Sequence, residues 1–150
     1  MTKILTLLFV FFMFSGCSYE PVLLNNEYNF QFSNISSEGN DKINKIIKNN
    51  LLQKSNGNKK YDIYFSTKND KEIISSDTKG DPTILKQKIY LNFILSENGD
   101  EITRNSIFKE ATYNNITDKF ELLKYEENIL KSLSKNISSE IIMIITSLNK

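Results

Sequence analysis

Cys17 carries the only thiol in this 150-residue chain, and its surroundings suit it for acylation. Lys3 precedes an apolar run over residues 4–14 broken only by Thr6, and Ser15 and Gly16 stand immediately before the cysteine. A basic start, a short apolar stretch and two small residues make a secretory leader with a cleavage point. A spanning helix needs about 20 apolar residues, and this run is too short. A lone cysteine in an exported chain needs a partner or another fate, and acylation consumes the thiol. The sequence therefore predicts a signal peptide over residues 1–16, lipidation at Cys17 and an acylated tether over residues 17–27. Ser18 follows the cysteine; by resemblance to lipoprotein leaders, in which an Asp there implies retention at the inner membrane, the expected location is the periplasmic face of the outer membrane.

Other reactive groups are sparse. Adjacent acids, Asp70 with Glu72, Asp100 with Glu101 and Glu126 with Glu127, have the chemistry for proton transfer. They fall in a turn, beside a hairpin and on a helix surface, where solvated carboxylates are ordinary. Histidine is absent, which excludes imidazole bases and histidine metal sites. There is no glycine-rich phosphate loop, Gly-x-Ser-x-Gly elbow or Cys-x-x-Cys pair. These absences predict a chain that is not an enzyme and uses neither cofactor nor metal. Lys3 is the leader's only charged side chain. Of the 19 basic and 18 acidic residues in the whole chain, 18 of each remain, so bulk charge does not recommend a nucleic acid partner.

The most suggestive surface group is a strip of Lys86, Lys88 and Tyr90, sharing one parity along a predicted strand, with Arg104 across a hairpin. Cations beside aromatic rings suit an anionic amphiphile or a protein wall. The same residues also occur on plain solvated sheet faces.

The elements that must position this strip follow from periodicity. Residues 28–33 alternate as a first strand, and residues 36–41 read as a turn around Gly39. Asn40 or Asp41 caps a helix with Ile43, Ile46, Ile47 and Leu51 on one stripe. Residues 61–65 form a second strand that continues, past a kink at Asn69-Asp70, to Ile73-Ile74. Residues 84–96 form a long third strand with Ile89, Leu91, Phe93 and Leu95 inward. Asn98-Gly99 is a hairpin turn leading to a fourth strand over residues 102–113. Asp118, with Glu121 three residues on, starts a long helix. Its expected stripe is Leu123, Leu130, Leu133, Ile137, Ile141, Ile144 and Leu148. The order β-α-β-β-β-α predicts an α+β fold. It is a two-layer roll over residues 28–150, in which two helices pack on one face of a four-stranded, mostly antiparallel sheet.

This pattern resembles the family of the lipopolysaccharide-assembly lipoprotein LptE. The likeness lies in the acylated cysteine followed by Ser18-Tyr19-Glu20-Pro21, in the order of elements, in Ala111-Thr112-Tyr113-Asn114 closing the fourth strand, and in the long last helix. It implies a non-catalytic subunit that plugs and assembles the outer-membrane β-barrel LptD, and that binds or disaggregates lipopolysaccharide. Lys86, Lys88, Tyr90 and Arg104 would then contact lipopolysaccharide or the barrel. Two other classes stay open at this stage. One is a free periplasmic ligand-binding lipoprotein. The other is an enzyme or a lysozyme inhibitor, although an inhibitor of that kind usually needs disulfides.

Mass spectrometry of the membrane fraction is expected to find a mature amino terminus at an acylated Cys17. Cys17→Ala should leave a folded domain that no longer sediments with membranes.

Overall fold

The computed structural model describes residues 28–53 and 57–149. The leader, Cys17, the tether and part of the turn after the first helix lie outside the described residues. Among these, the elements are β1 (Phe30–Gly39), α1 (Asp41–Gln53), β2 (Lys59–Ser76), β3 (Pro82–Glu97), β4 (Asp100–Asn114) and α2 (Lys119–Leu148). The sheet order is β1-β2-β3-β4. β1 runs parallel to β2, and β2, β3 and β4 form an antiparallel meander. The expected α+β roll with β-α-β-β-β-α order is the observed fold.

Alternation builds the sheet's two faces. Along β3, Leu85, Gln87, Ile89, Leu91, Phe93 and Leu95 are buried while Lys86, Lys88, Tyr90 and Asn92 are more exposed. Successive strand side chains point to opposite faces, so one phase makes a core and the other an open surface. Tyr61, Ile63 and Phe65 on β2 and Ile107 on β4 join the same core as Ile43, Ile47 and Leu51 of α1 and Ile137, Ile141 and Ile145 of α2. Both helices therefore cover a single face. Asn98 and Gly99 both have positive φ, 53° and 92°, as a tight hairpin with right-handed strand twist requires.

Several boundaries differ from the sequence reading. Residues 36–39 belong to β1 rather than to a turn, because the parallel ladder with β2 continues to Gly39 opposite Thr67. The strand then stops abruptly. Gly39 has φ of 101°, and a Cβ there would lie 2.0 Å from the Thr67 carbonyl oxygen. Asn40 rather than Asp41 caps α1, its Oδ1 accepting from Ile43 N at 3.1 Å. Thr67 secures this corner. Its hydroxyl donates to Asn44 Oδ1 at 2.6 Å and accepts from Asn40 N at 3.1 Å. β2 passes Asn69 and Asp70 as continuous strand, paired there with Ile89 and Lys88 of β3.

The stripe of α2 also shifts. Asp118 caps the helix, accepting from Phe120 N and Glu121 N, as its spacing predicts. Leu123 and Leu148, however, are 65% and 47% exposed, and Leu122, Ile142 and Ile145 are buried instead. The helix meets both the sheet and α1, so its buried arc is wider than one seam and includes Ser134 and Ser138. Their hydroxyls donate to the Leu130 and Ser134 carbonyls, at 2.7 and 2.9 Å.

The layers have unequal lengths. The 30 residues of α2 reach about 45 Å, and it runs back to Lys59 and Tyr61, which donate to Asn149 Oδ1 at 2.7 and 2.8 Å. β1 and α1 cover only the half of the sheet nearer that end. Beyond Thr67, β2 has no strand on its outer side among the described residues. On the half without β1, Ile73, Ile74, Phe120 and Leu123 are exposed.

Gly39→Ala should destabilise the fold by roughly 1–3 kcal/mol from backbone strain alone, more if the contact with Thr67 does not relax. Ile137→Asp buries an unpaired charge and should cost on the order of 3 kcal/mol or more, while Leu123→Asp should be nearly neutral. Urea unfolding midpoints check all three.

Candidate functional site

The open face of the sheet gathers the strip that the sequence singles out. Register fixes its rows across β2, β3 and β4: Lys68, Tyr90 and Phe108; Asp70, Lys88 and Glu110; Glu72, Lys86 and Thr112. Lys86, Lys88 and Tyr90 are thus brought together. Arg104 is not among them. It lies opposite Ile94, four residues along β3 from Tyr90, about 13 Å away.

At the centre of the face, the Tyr90 and Phe108 rings lie 4.9 Å apart and tilted by 32°. Lys68 Nζ stands 6.0 Å from the Tyr90 ring centre, within the reach of a cation–π contact. Tyr64, Tyr90, Ile102 and Phe108 are all exposed, and the polar row Ser66, Asn92 and Ser106 separates Tyr90 and Phe108 from the other two.

Each basic residue of the strip has an acidic neighbour. Lys88 Nζ lies 2.5 Å from Glu72, Lys86 Nζ 3.3 Å from Glu110, and Arg104 Nη2 2.9 Å from Glu101. The hydrogen bond from Lys88, and then its positive charge, hold the Glu72 carboxyl below the usual carboxylate range. The same bond raises the Lys88 ammonium above its ordinary value. Arg104 lowers Glu101 in the same way. At the rim, Tyr64 donates to Glu38 Oε2 at 2.8 Å, and that bond raises its phenol. Cross-strand pairing neutralises the lysines, leaving an aromatic centre with charge-balanced flanks.

A second feature lies at the end of the ribbon away from Asn149. A groove of about 390 Å³ is lined by Lys71, Ile73, Pro82, Leu85, Asn115, Lys119 and Leu122. Asn115 Nδ2 donates to the Pro82 carbonyl at 2.7 Å, while its buried Oδ1 has no donor among the described residues. Beneath the groove, Glu126 accepts from the Tyr113 hydroxyl at 2.7 Å and from Lys71. Burial, reinforced by that carboxylate, raises the Tyr113 phenol well above its ordinary value. The sequence reading missed this groove. Its lining comes from β2, β3, the connector after β4 and the first turns of α2, and no periodic pattern links these segments.

Among the described residues there is no cluster of three or more potential metal ligands, and no helix is long and apolar enough to cross a membrane.

No family model and no curated protein matches the chain. Solved structures do resemble it. An uncharacterized lipoprotein B from Nitrosomonas europaea superposes with a TM-score of 0.62 at 14% identity, covering 84% of this chain and 90% of that one. The rare lipoprotein B from Shewanella oneidensis gives 0.59 at 12% identity, over 77% and 96%. A minor lipoprotein from Acinetobacter baumannii gives 0.57 at 14% identity, over 81% and 93%. At these identities the chain shares their fold.

Glu72 and Glu101 are depressed in the folded state, so their pairing stabilises the fold above the ordinary carboxylate value of 4.5. That contribution is lost as pH falls through the depressed values. Lys88→Gln should shrink the fall in urea midpoint between pH 7 and the acid range, and 1 M salt should shrink it in the parent.

Proposed function

We propose that this chain is a non-catalytic, acylated lipoprotein of the LptE type. In this reading it is anchored at the periplasmic face of the outer membrane and serves as plug and assembly partner of the LptD barrel. The observation that carries the reading is the open face: a long ribbon with Tyr90 and Phe108 at its centre and each lysine neutralised by a neighbour. A polyanion would gain little from such a surface, because no net charge is left to release counterions. A protein wall gains from it directly, since interface centres favour aromatic residues and deplete uncompensated charge.

The fold shared with three lipoproteins, together with the leader ending at Cys17, supports the anchored location. Wide barrels with plugged lumens exist, and a narrow two-layer roll has a suitable shape for one. A single fatty chain holds a protein only marginally at a membrane. A multiply acylated Cys17 would hold the plug beside its barrel through assembly.

Lipopolysaccharide is an anionic amphiphile, and the end groove suits that chemistry better than the sheet face does. Ile73, Leu85 and Leu122 offer apolar lining, and Lys119 brings an ammonium group beside it, while Lys71 is already paired with Glu126.

The tagged full-length protein, purified from outer membranes, should bring down one large barrel protein in stoichiometric amount. Tyr90→Ala with Phe108→Ala should reduce that recovery about tenfold or more while leaving the thermal midpoint close to the parent. A delipidated chain recovered alone, with or without the two rings, would support the free ligand-binding lipoprotein instead.

A further inference from the structure

The outer edge of β4 has no strand beside it among the described residues. This edge is 15 residues long, and such an edge presents a row of unpaired backbone donors and acceptors, a template for another strand. Its side chains are arranged with an unusual symmetry. We infer that β4 pairs antiparallel with β4 of a second copy of this chain, about a two-fold axis at Ile107.

The register is specified by the sequence of the strand itself. Ile107 is the midpoint of Asp100–Asn114, so pairing centred there uses every residue of both edges. Arg104 then stands directly opposite Glu110 of the second copy, and the symmetry repeats the pair. Directly opposed residues of opposite charge on one face stabilise a sheet, and like charges oppose it. In this register no like charges face each other: Asp100 meets Asn114, Glu101 meets Tyr113, and Lys109 meets Asn105. Sliding by one residue pair places Arg104 opposite Phe108 or Thr112 and forfeits both ion pairs. Sliding further sets Asp100 against Glu110 in one direction and Lys109 against itself in the other.

Apolar surface follows the same symmetry. Phe108 is 46% exposed and packs on Tyr90. Across the two-fold it lies diagonal to Phe108 of the second copy, about 7–8 Å away and within aromatic reach. Two separate aromatic pairs become one patch. Arg104 and Glu110 keep their own neighbours, Glu101 and Lys86, so each new pair extends a line of alternating charge. A two-fold perpendicular to the sheet keeps the helices of both copies on one side, and the result is a continuous eight-stranded ribbon. The inference is drawn from β4 alone, and it shares Phe108 with the proposed barrel contact.

Sedimentation velocity of the full-length chain in density-matched detergent tests it. The protein component should approach twice the mass of one mature chain as concentration rises. Arg104→Glu and Glu110→Arg should each weaken association about tenfold or more, because each sets like charges opposite one another. The double variant should restore it. Amide exchange on the parent supplies a readout without substitutions: protection across residues 100–114 should rise with protein concentration and stay constant in β1. A parent that remains monomeric, single variants that associate like the parent, or exchange in β4 independent of concentration would each overturn the pairing.

Discussion

The period-two alternation along β3 is the constraint to which every other element is fitted. β3 pairs on both sides, with β2 and with β4, so its phase dictates theirs. Ile89, Leu91, Phe93 and Leu95 are at most 1% exposed. A one-residue slip would carry all of them to the open side and bring lysines into the core. The helices add apolar stripes to a face already defined by these side chains, and they owe their stability to that contact more than to intrinsic propensity.

The corner between β1 and α1 is the other point where chemistry overrides pattern. Thr67, Asn44 and Asn40 are polar, and Thr67 and Asn44 are buried. Buried polar groups are costly unless satisfied, and here each is satisfied by another. Their mutual bonds aim α1 back along the sheet immediately after Gly39, whose missing side chain lets the Thr67 carbonyl approach. Strand end, helix start and sheet contact are therefore settled by a handful of atoms.

What could be read from residues alone follows the range of the interactions involved. The β3–β4 hairpin was legible because alternation and the Asn98-Gly99 turn are local. The cap at Asp118 was legible for the same reason. The phase of α2 was not, because Leu123 and Leu122 both fit an apolar stripe, and only the positions of α1 and the sheet decide between them. The site shows the same division. That Lys86, Lys88 and Tyr90 share a face follows from parity. That Glu72 and Glu110 neutralise the lysines depends on inter-strand register, which no single strand encodes. The end groove depends on four segments converging, and it left no trace in periodicity.

Because β1 and α1 stop at mid-length, one half of the ribbon is packed by more elements than the other. The half near Asn149 is four strands wide with two helices above it. The other half is three strands wide, with α2 alone above it. Stability is distributed as unevenly as the contacts that make it. By that measure local opening is easiest where the groove lies and hardest at the end near Asn149.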